Sequence, residues 1–212
     1  MIGPSSLLAF ISAAVVVIMA PGPDTIYALT QSIKSGRIAG LVAGFGTATG
    51  VIVHTTAAVL GLSALLQTSA LAYNIVKYVG VIYLMYLGIQ MFRNDEEFEL
   101  ETALANEDRS LFEAYKKAVI VNVSNPKVAV FVLAFFPQFI PEGVNTTVNM
   151  SILGILYATL SLAYLTGVAL FATRVRHILL GSRLKRRLIQ YASGSVLLGF
   201  GAKLVLEKRP TQ

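Results

Sequence analysis

The chain has 212 residues, of which 55% are hydrophobic and 13% charged, with a formal net charge of +6 and no cysteine. An ordinary soluble domain carries about 25% charged residues, so this content is unusually low. The apolar content excludes disorder and collagen-like repeats, and the lack of cysteine excludes a disulfide scaffold. The charges are also clustered, which indicates an integral membrane protein rather than a globular one.

Long charge-free segments define the predicted elements. A spanning helix needs about 20 mostly apolar residues. Cutting the chain at its polar loops predicts an all-α fold with six transmembrane helices, at roughly 6–28, 39–66, 72–92, 114–136, 147–171 and 188–206. The first lacks a positive n-region and is too long for a secretory signal, so we predict a retained helix. Lys203 interrupts the last segment, and a five-helix topology with that segment at the interface is the alternative.

Predicted helix 1 contains a break followed by a charge. It reads Ala20-Pro21-Gly22-Pro23-Asp24 within an otherwise apolar segment. The prolines remove backbone donors and Gly22 lets the chain bend between them, so the helix must break there. Broken backbone at membrane depth is tolerated where protein or a water-filled cavity satisfies the freed groups. Asp24 follows this break and needs a partner or a proton, because an unpaired charge at mid-bilayer costs at least about 2.5–3.5 kcal/mol.

Predicted helix 2 is rich in glycine and carries a single histidine. Spacings of four residues put small residues on shared helix faces (Gly36, Gly40 and Gly44; Gly46 and Gly50). Such faces let helices approach closely, and they also permit a homodimer. No strand and no Rossmann spacing accompanies the glycines, which excludes a nucleotide-binding loop. His54 suits a proton relay at its ordinary pKa, or a neutral hydrogen bond across helices.

An acidic stretch at about 93–113 separates the two halves of the chain. It holds most of the carboxylates and no histidine or cysteine, so a solvated cytoplasmic connector is favoured over a metal site. We therefore predict one transmembrane domain over residues 1–212, with a first repeat at about 1–92 and a second at about 114–206. No cofactor is expected.

Predicted helix 4 repeats the break with the opposite charge. It reads Asn122-Val123-Ser124-Asn125-Pro126-Lys127 before another apolar run. The proline again precedes a single ionisable residue, and Asn122 and Asn125 can supply hydrogen bonds to the freed backbone. Lys127 lies about half a chain length beyond Asp24.

Interrupted helices at matching positions predict an inverted repeat. Two halves of three helices each insert in opposite orientations, and in transporters such breaks mark a substrate site near the midplane. We predict a pocket for a zwitterion, with Lys127 facing its carboxylate and Asp24 its ammonium group. An Asp24–Lys127 ion pair that only joins the halves is the alternative.

Basic residues alternate between the predicted loops. Lys and Arg follow helices 1, 3 and 5 (Lys34, Arg37, Arg93, Arg109, Lys116, Lys117, Arg174, Arg176, Arg183, Lys185, Arg186 and Arg187), whereas the loops at about 67–71 and 137–146 hold none. This positive-inside pattern predicts a multi-pass protein of the cell membrane with both termini outside. The basic C-terminal tail opposes that orientation. The same distribution excludes nucleic acid as a partner.

These motifs also carry a family resemblance. Pro21-Gly22-Pro23-Asp24, the following glycines, Asn125-Pro126-Lys127 and Pro137-Gln138-Phe139 resemble the LysE-type amino-acid exporters, in particular their homoserine/threonine efflux branch. The resemblance extends from Ala20 to about residue 206. It implies a six-helix secondary exporter of amino acids or similar metabolites, driven by protons. The family's first motif often has Asn at the position of Asp24, so this charge can tune substrate preference.

Other classes of function fit the sequence less well. The chain lacks a His-Glu-x-x-His zinc motif, a Gly-x-Ser-x-Gly elbow and a second carboxylate in the predicted spans, which argues against an intramembrane enzyme. A channel would present rings of charges or carbonyls from oligomer symmetry. Export of a metal cation, or a channel or scaffold, remains the alternative to amino-acid export.

Overall fold

A computed structural model describes most of the chain. It covers residues 2–20, 22–68, 70–93, 110–141 and 143–175, together with positions 187–188, 191–192, 194–195, 198–199 and 202. Every regular element in this part of the chain is helical, which agrees with the predicted all-α class. Residues 94–109, most of the acidic connector predicted at about 93–113, and Pro21 lie outside the described residues.

Two pairs of helices meet at the predicted breaks. Helix α1 (Pro4–Met19) bends by 57° into α2 (Pro23–Lys34), and α5 (Leu111–Val123) bends by 53° into the segment that begins with α6 (Pro126–Val130). A π-helical turn (Phe131–Phe135) and a 3-10 turn (Phe136–Phe139) continue that segment. Each second half starts with proline at its first helical position, where the missing N–H has no helical partner to lose.

Two long helices form the centre of the structure. Helix α3 (Arg37–Thr68) packs along α7 (Thr146–Leu170) on one side and α5 on another, and α2 also contacts it. Helix α4 (Ala70–Arg93) packs against the π-helical turn. Aromatic rings fill the core between α1, the π-helical turn and α7, with Phe10, Phe131 and Tyr157 fully buried.

Some predicted boundaries shift for local reasons. Helix α5 starts at Leu111 rather than at 114, because the Ser110 side chain accepts a hydrogen bond from the Glu113 amide and caps the helix. Predicted helix 1 extends past 28 to Lys34. The segment predicted at 114–136 ends in π and 3-10 turns that reach Phe139, and Pro137 lies within the 3-10 turn.

The structure supports a membrane protein but not the full count of six spans. Helix α3 over Arg37–Gly61 and helix α7 are each long and apolar enough to cross a membrane. If each bent pair is counted as one span, the described residues contain up to four spans. In α4 the described apolar stretch covers only Tyr78–Gln90. The segment predicted at 188–206 is described at scattered positions, where Tyr191 stacks on Phe92 of α4.

Candidate substrate site

The two helix breaks lie against each other, so residues from the two halves of the chain share one site. Asp24 and Lys127 are both 8% exposed, and Asn122 and Asn125 are more deeply buried. All four come from the breaks that the sequence singled out, and the structure brings them together with His54 of α3.

The Asp24 carboxylate is held by two amides from the opposite half. Asn125 Nδ2 donates to Asp24 Oδ2 at 2.7 Å, and Asn122 Nδ2 donates to Asp24 Oδ1 at 3.3 Å. Asp24 also lies in the first turn of α2, where the helix dipole favours a negative charge. A carboxylate has about four lone-pair positions, so these two bonds leave acceptor capacity for a substrate donor.

The Lys127 ammonium group closes the broken end of α1. Its Nζ donates to the carbonyl oxygens of Val17 at 3.2 Å and Ala20 at 2.9 Å. In a continuous helix the Val17 carbonyl would accept from residue 21, which is proline and has no N–H. An ammonium group has three donors, so one remains for a substrate. The hydrogen bonds of the two charges are therefore formed with separate partners.

His54 contacts the carbonyl group that the proline of the second break leaves without its helical donor. Its Nε2 lies 3.1 Å from the carbonyl oxygen of Asn122, which would accept from residue 126 in a continuous helix, again a proline. Since a carbonyl oxygen only accepts, Nε2 is the nitrogen that carries the hydrogen in this contact. The contact is a hydrogen bond across helices, the geometry that the sequence offered as one of two roles for His54.

Asn125 serves both halves at once. Its side-chain oxygen caps α6 by accepting from the Lys127 amide at 3.0 Å, while its nitrogen binds Asp24. Gly22 precedes α2 as its N-cap residue, and a Cβ atom there would lie 3.0 Å from Lys127 Nζ. The absence of a side chain at Gly22 therefore leaves room for the ammonium group.

A small cavity lies between these groups. Its volume is about 20 Å³, and a water molecule needs at least about 10–15 Å³ on this measure. Its polar lining includes Asp24 of the first break and Asn122 and Lys127 of the second. Ile18, Val128 and Leu165 supply apolar surface. In this conformation the site has room for a water molecule but is too small for an amino acid.

Hydroxyl groups line the rest of the cavity, and sequence reasoning missed them. They come from α2, α3 and α7 (Thr25, Thr47, Tyr157, Ser161 and Tyr164). A signal was present, because Tyr157 and Ser161 are spaced by four residues within a charge-free predicted span and so lie on one helix face.

The glycines of α3 make close contacts inside the chain. A Cβ atom at Gly46 would lie 2.6 Å from Ala118 Cβ, and one at Gly50 would lie 2.5 Å from Asn122 Oδ1, both on α5. A Cβ atom at Gly40 would contact Ser32 of α2 and Ala169 of α7, and one at Gly44 would contact Leu165 of α7. These four positions are used for packing between helices of one molecule, so they are not free to form a dimer face.

Gly36 does not belong to this packing face. It is exposed in the turn between α2 and α3, has a φ of 88°, and has nothing within 4 Å of a built Cβ atom. Its role is conformational, because the left-handed backbone region disfavours other residues. The prediction that placed it with the packing glycines was wrong.

A metal site has no support in the described ranges. No group of three His, Asp or Glu side chains there lies close enough to hold a metal ion. The two charged groups of the site are instead of opposite sign, as a zwitterion requires.

Known proteins resemble the whole chain. The family model described as LysE type translocator matches residues 15–208. The homoserine/homoserine lactone efflux protein of Salmonella typhimurium is 31% identical over 196 residues, which cover 92% of this chain and 94% of that protein. Uncharacterized membrane proteins of Vibrio cholerae and Bacillus subtilis are 30% and 27% identical, covering 95% and 93% of this chain and 97% of each relative. No solved structure matches the chain.

Proposed function

The chain belongs to the LysE type translocator family, and from that premise we propose that it is a secondary exporter of small amino acids that works by alternating access. The family and the efflux relatives identify a membrane transporter rather than an enzyme. The relative from Salmonella typhimurium is named for homoserine efflux, which supports a small, uncharged substrate side chain.

One observation carries the proposal: a buried carboxylate and a buried ammonium group line the same cavity between two broken helices. Lys127 has a donor left for the substrate carboxylate, and Asp24 has acceptor positions left for the substrate ammonium group. Helix breaks with a pair of opposite charges are an expensive feature at membrane depth, which supports a role in transport.

The small cavity supports alternating access. A space of about 20 Å³ is closed to an amino acid, so substrate entry requires the bent pairs to move apart. The bends of 57° and 53° give each half of the chain a break at which one helical segment can move relative to the other. We propose that the halves are inverted three-helix repeats in a six-span protein, with both termini outside.

We further propose that protons drive export. Protonation of Asp24 would weaken its hold on the substrate ammonium group and release it outward. His54 lies next to the same site through Asn122. Because the family's first motif often has Asn at the position of Asp24, this part of the proposal needs its own variant.

The test is efflux from proteoliposomes loaded with a panel of radiolabelled amino acids, with and without an imposed proton gradient. Lys127→Ala removes the proposed carboxylate partner, and Lys116→Ala is the matched control, because Lys116 is exposed on α5. We expect selective, gradient-dependent efflux from the unchanged protein and from Lys116→Ala, with loss in Lys127→Ala.

Two outcomes would contradict the proposal. No efflux of any amino acid from the unchanged protein would remove amino acids as substrates, and metal cations would then be loaded in the same vesicles. Full proton-driven export by Asp24→Asn would remove Asp24 as the coupling group while leaving the exporter in place.

A further inference from the structure

Three buried hydroxyl groups from α3 and α7 line the cavity together with residues of the helix breaks. Thr47 of α3 is 4% exposed, and Tyr157 and Ser161 of α7 are 2% and 5% exposed. They line the same cavity as Asp24 and Lys127. A zwitterion held by the two charges would therefore direct its side chain toward a wall that differs chemically from the charged one.

Neighbouring hydroxyls on the same helices are occupied by the backbone. Thr55 donates to the carbonyl oxygen of Val51, and Thr159 donates to that of Ile155, each one turn back along its own helix. The same is true of three more (Thr49, Thr56 and Ser151). This back-bonding is the ordinary way in which Ser and Thr satisfy themselves in an apolar helix.

The three cavity hydroxyls depart from that pattern. Within the described part of the chain, no hydrogen bond occupies the hydroxyls of Thr47, Tyr157 or Ser161. Thr25 and Tyr164, which also line the cavity, interact with each other. A polar group that faces a cavity without a protein partner is satisfied by water or a ligand, so these three hydroxyls are available to a group bound in the cavity.

The cavity has the size for such a group. Its volume of about 20 Å³ exceeds the minimum of about 10–15 Å³ for a water molecule. A substrate hydroxyl that displaces this water can reproduce its hydrogen bonds, whereas a methyl group cannot, and such a mismatch lowers affinity.

We propose that Thr47, Tyr157 and Ser161 form a subsite that binds a hydroxyl group on the substrate side chain and so determine specificity among small neutral amino acids. This inference rests on the proposed function, because it takes the two charges as the anchors of the zwitterion. The subsite rejects an apolar substrate of the same shape, since that substrate leaves the three hydroxyls buried and unpaired.

The experiment compares isosteric pairs in which a methyl group replaces the hydroxyl. Proteoliposomes are loaded with homoserine or norvaline, and with threonine or valine, and the initial efflux rates are measured at equal concentrations. For the unchanged protein we expect the hydroxylated member to be exported about 10-fold faster or more in at least one pair, because removing the hydroxyl leaves buried groups unpaired.

Variants assign the preference to the subsite. Ser161→Ala, Tyr157→Phe and Thr47→Val each remove one hydroxyl with little change in shape, and the double variant Ser161→Ala with Thr47→Val removes two. We expect each to lower the ratio several-fold and the double variant to bring it close to one, because the hydroxylated member loses its hydrogen-bond partners. Ser151→Ala, on the same helix but bonded to its own backbone, should leave the ratio unchanged.

The failure of this inference is distinct from the failure of the proposed function. Equal efflux of both members of each pair by the unchanged protein overturns the subsite and leaves amino-acid export standing, without reference to any variant. A strong preference that survives in all three single variants and in the double variant also overturns it. No efflux of any of the four amino acids overturns both proposals.

Discussion

Both helix breaks are caused by proline, but different groups replace the backbone hydrogen bonds that proline removes. At both, a proline lies four residues after a carbonyl group and deprives it of its helical donor, at Val17 in the first half and at Asn122 in the second. At the first break the replacement donor is the charged Lys127. At the second, the Asn122 carbonyl is bonded by both the Asn125 amide and His54.

The second break is also closed largely by its own residues. The amides of Ser124 and Asn125 bond back to Ile120 and Asn122, and the Asn125 side chain caps α6. In the first break, Gly22 forms no side-chain cap, and Asp24 and the end of α1 depend on residues from the other half. The first break therefore depends more on the opposite half of the chain than the second does, and the predictions below test that asymmetry.

The largest effect is expected from Asn125→Ala, because this residue joins the two breaks. The variant loses a helix cap, worth about 1 kcal/mol, and a hydrogen bond to a charged group, worth about 1.5–3 kcal/mol. Asn145→Ala is the matched control, since Asn145 caps α7 through the amide of Val148 in the same manner. Thermal unfolding in detergent should show a several-fold larger loss for Asn125→Ala, and export should be lost in that variant alone. Equal losses in the two variants would mean that the bond to Asp24 adds nothing.

Gly50→Ala should come next, because it pushes α3 away from α5, the helix that ends at the second break. The new methyl group would meet Asn122 Oδ1 at 2.5 Å and Asn122 Cβ at 2.7 Å, and such overpacking costs about 1–3 kcal/mol. Gly61→Ala lies on the same helix with nothing within 4 Å, so the gain in helix propensity, up to about 1 kcal/mol, should stabilise it. Opposite shifts in the unfolding midpoint of these two variants are expected. A neutral Gly50→Ala would show that α5 can move away from α3 without cost.

Much of this site could be predicted from the sequence, because its main signals are local. Pro21-Gly22-Pro23 and Pro126 break helices wherever they occur in an apolar segment, and a lone charge beside each break needs a partner. Which partner it finds depends on how the halves pack, and so the separate partners of Asp24 and Lys127 could not be predicted.

Two other features show where local patterns mislead. Gly36 continues the four-residue spacing of Gly40 and Gly44, yet it precedes their helix and lies just after the end of α2 at Lys34. A glycine just after a basic last turn is a typical helix stop. The hydroxyls of Tyr157 and Ser161 were readable as one face of a predicted span. Their importance depends on a cavity formed by helices far apart in sequence, which only the fold supplies.

Gly22→Ala should have a smaller effect on folding than on transport. Its methyl group would lie 3.0 Å from Lys127 Nζ, and a flexible side chain can move aside at a cost of about 0.5–1.5 kcal/mol. The displaced ammonium group then loses its position on the end of α1 and in the substrate site. Gly3→Ala is the control, because Gly3 is also an N-cap residue but has nothing within 4 Å.

Efflux rates and unfolding midpoints of the two glycine variants separate the effects. We expect similar midpoints, with export reduced only in Gly22→Ala. Unchanged export by Gly22→Ala would indicate that the exact position of the ammonium group is unimportant, and would weaken the assignment of Lys127 to the substrate carboxylate.

The smallest effect is expected at His54, whose bond completes a break that is otherwise closed by its own residues. His54→Leu removes one donor to the Asn122 carbonyl oxygen and leaves the Asn125 amide as the other, and loss of one such hydrogen bond costs about 1 kcal/mol. His54→Gln keeps a side-chain donor and should recover part of that loss. If His54 acts only through this bond, both variants retain gradient-driven export, because neither glutamine nor leucine exchanges protons near neutral pH. If His54 instead carries protons, efflux by both variants no longer depends on the proton gradient. His54→Gln would then recover stability without recovering this dependence. Measuring stability and gradient dependence on the same two variants therefore separates a neutral bond that completes the second break from a proton relay.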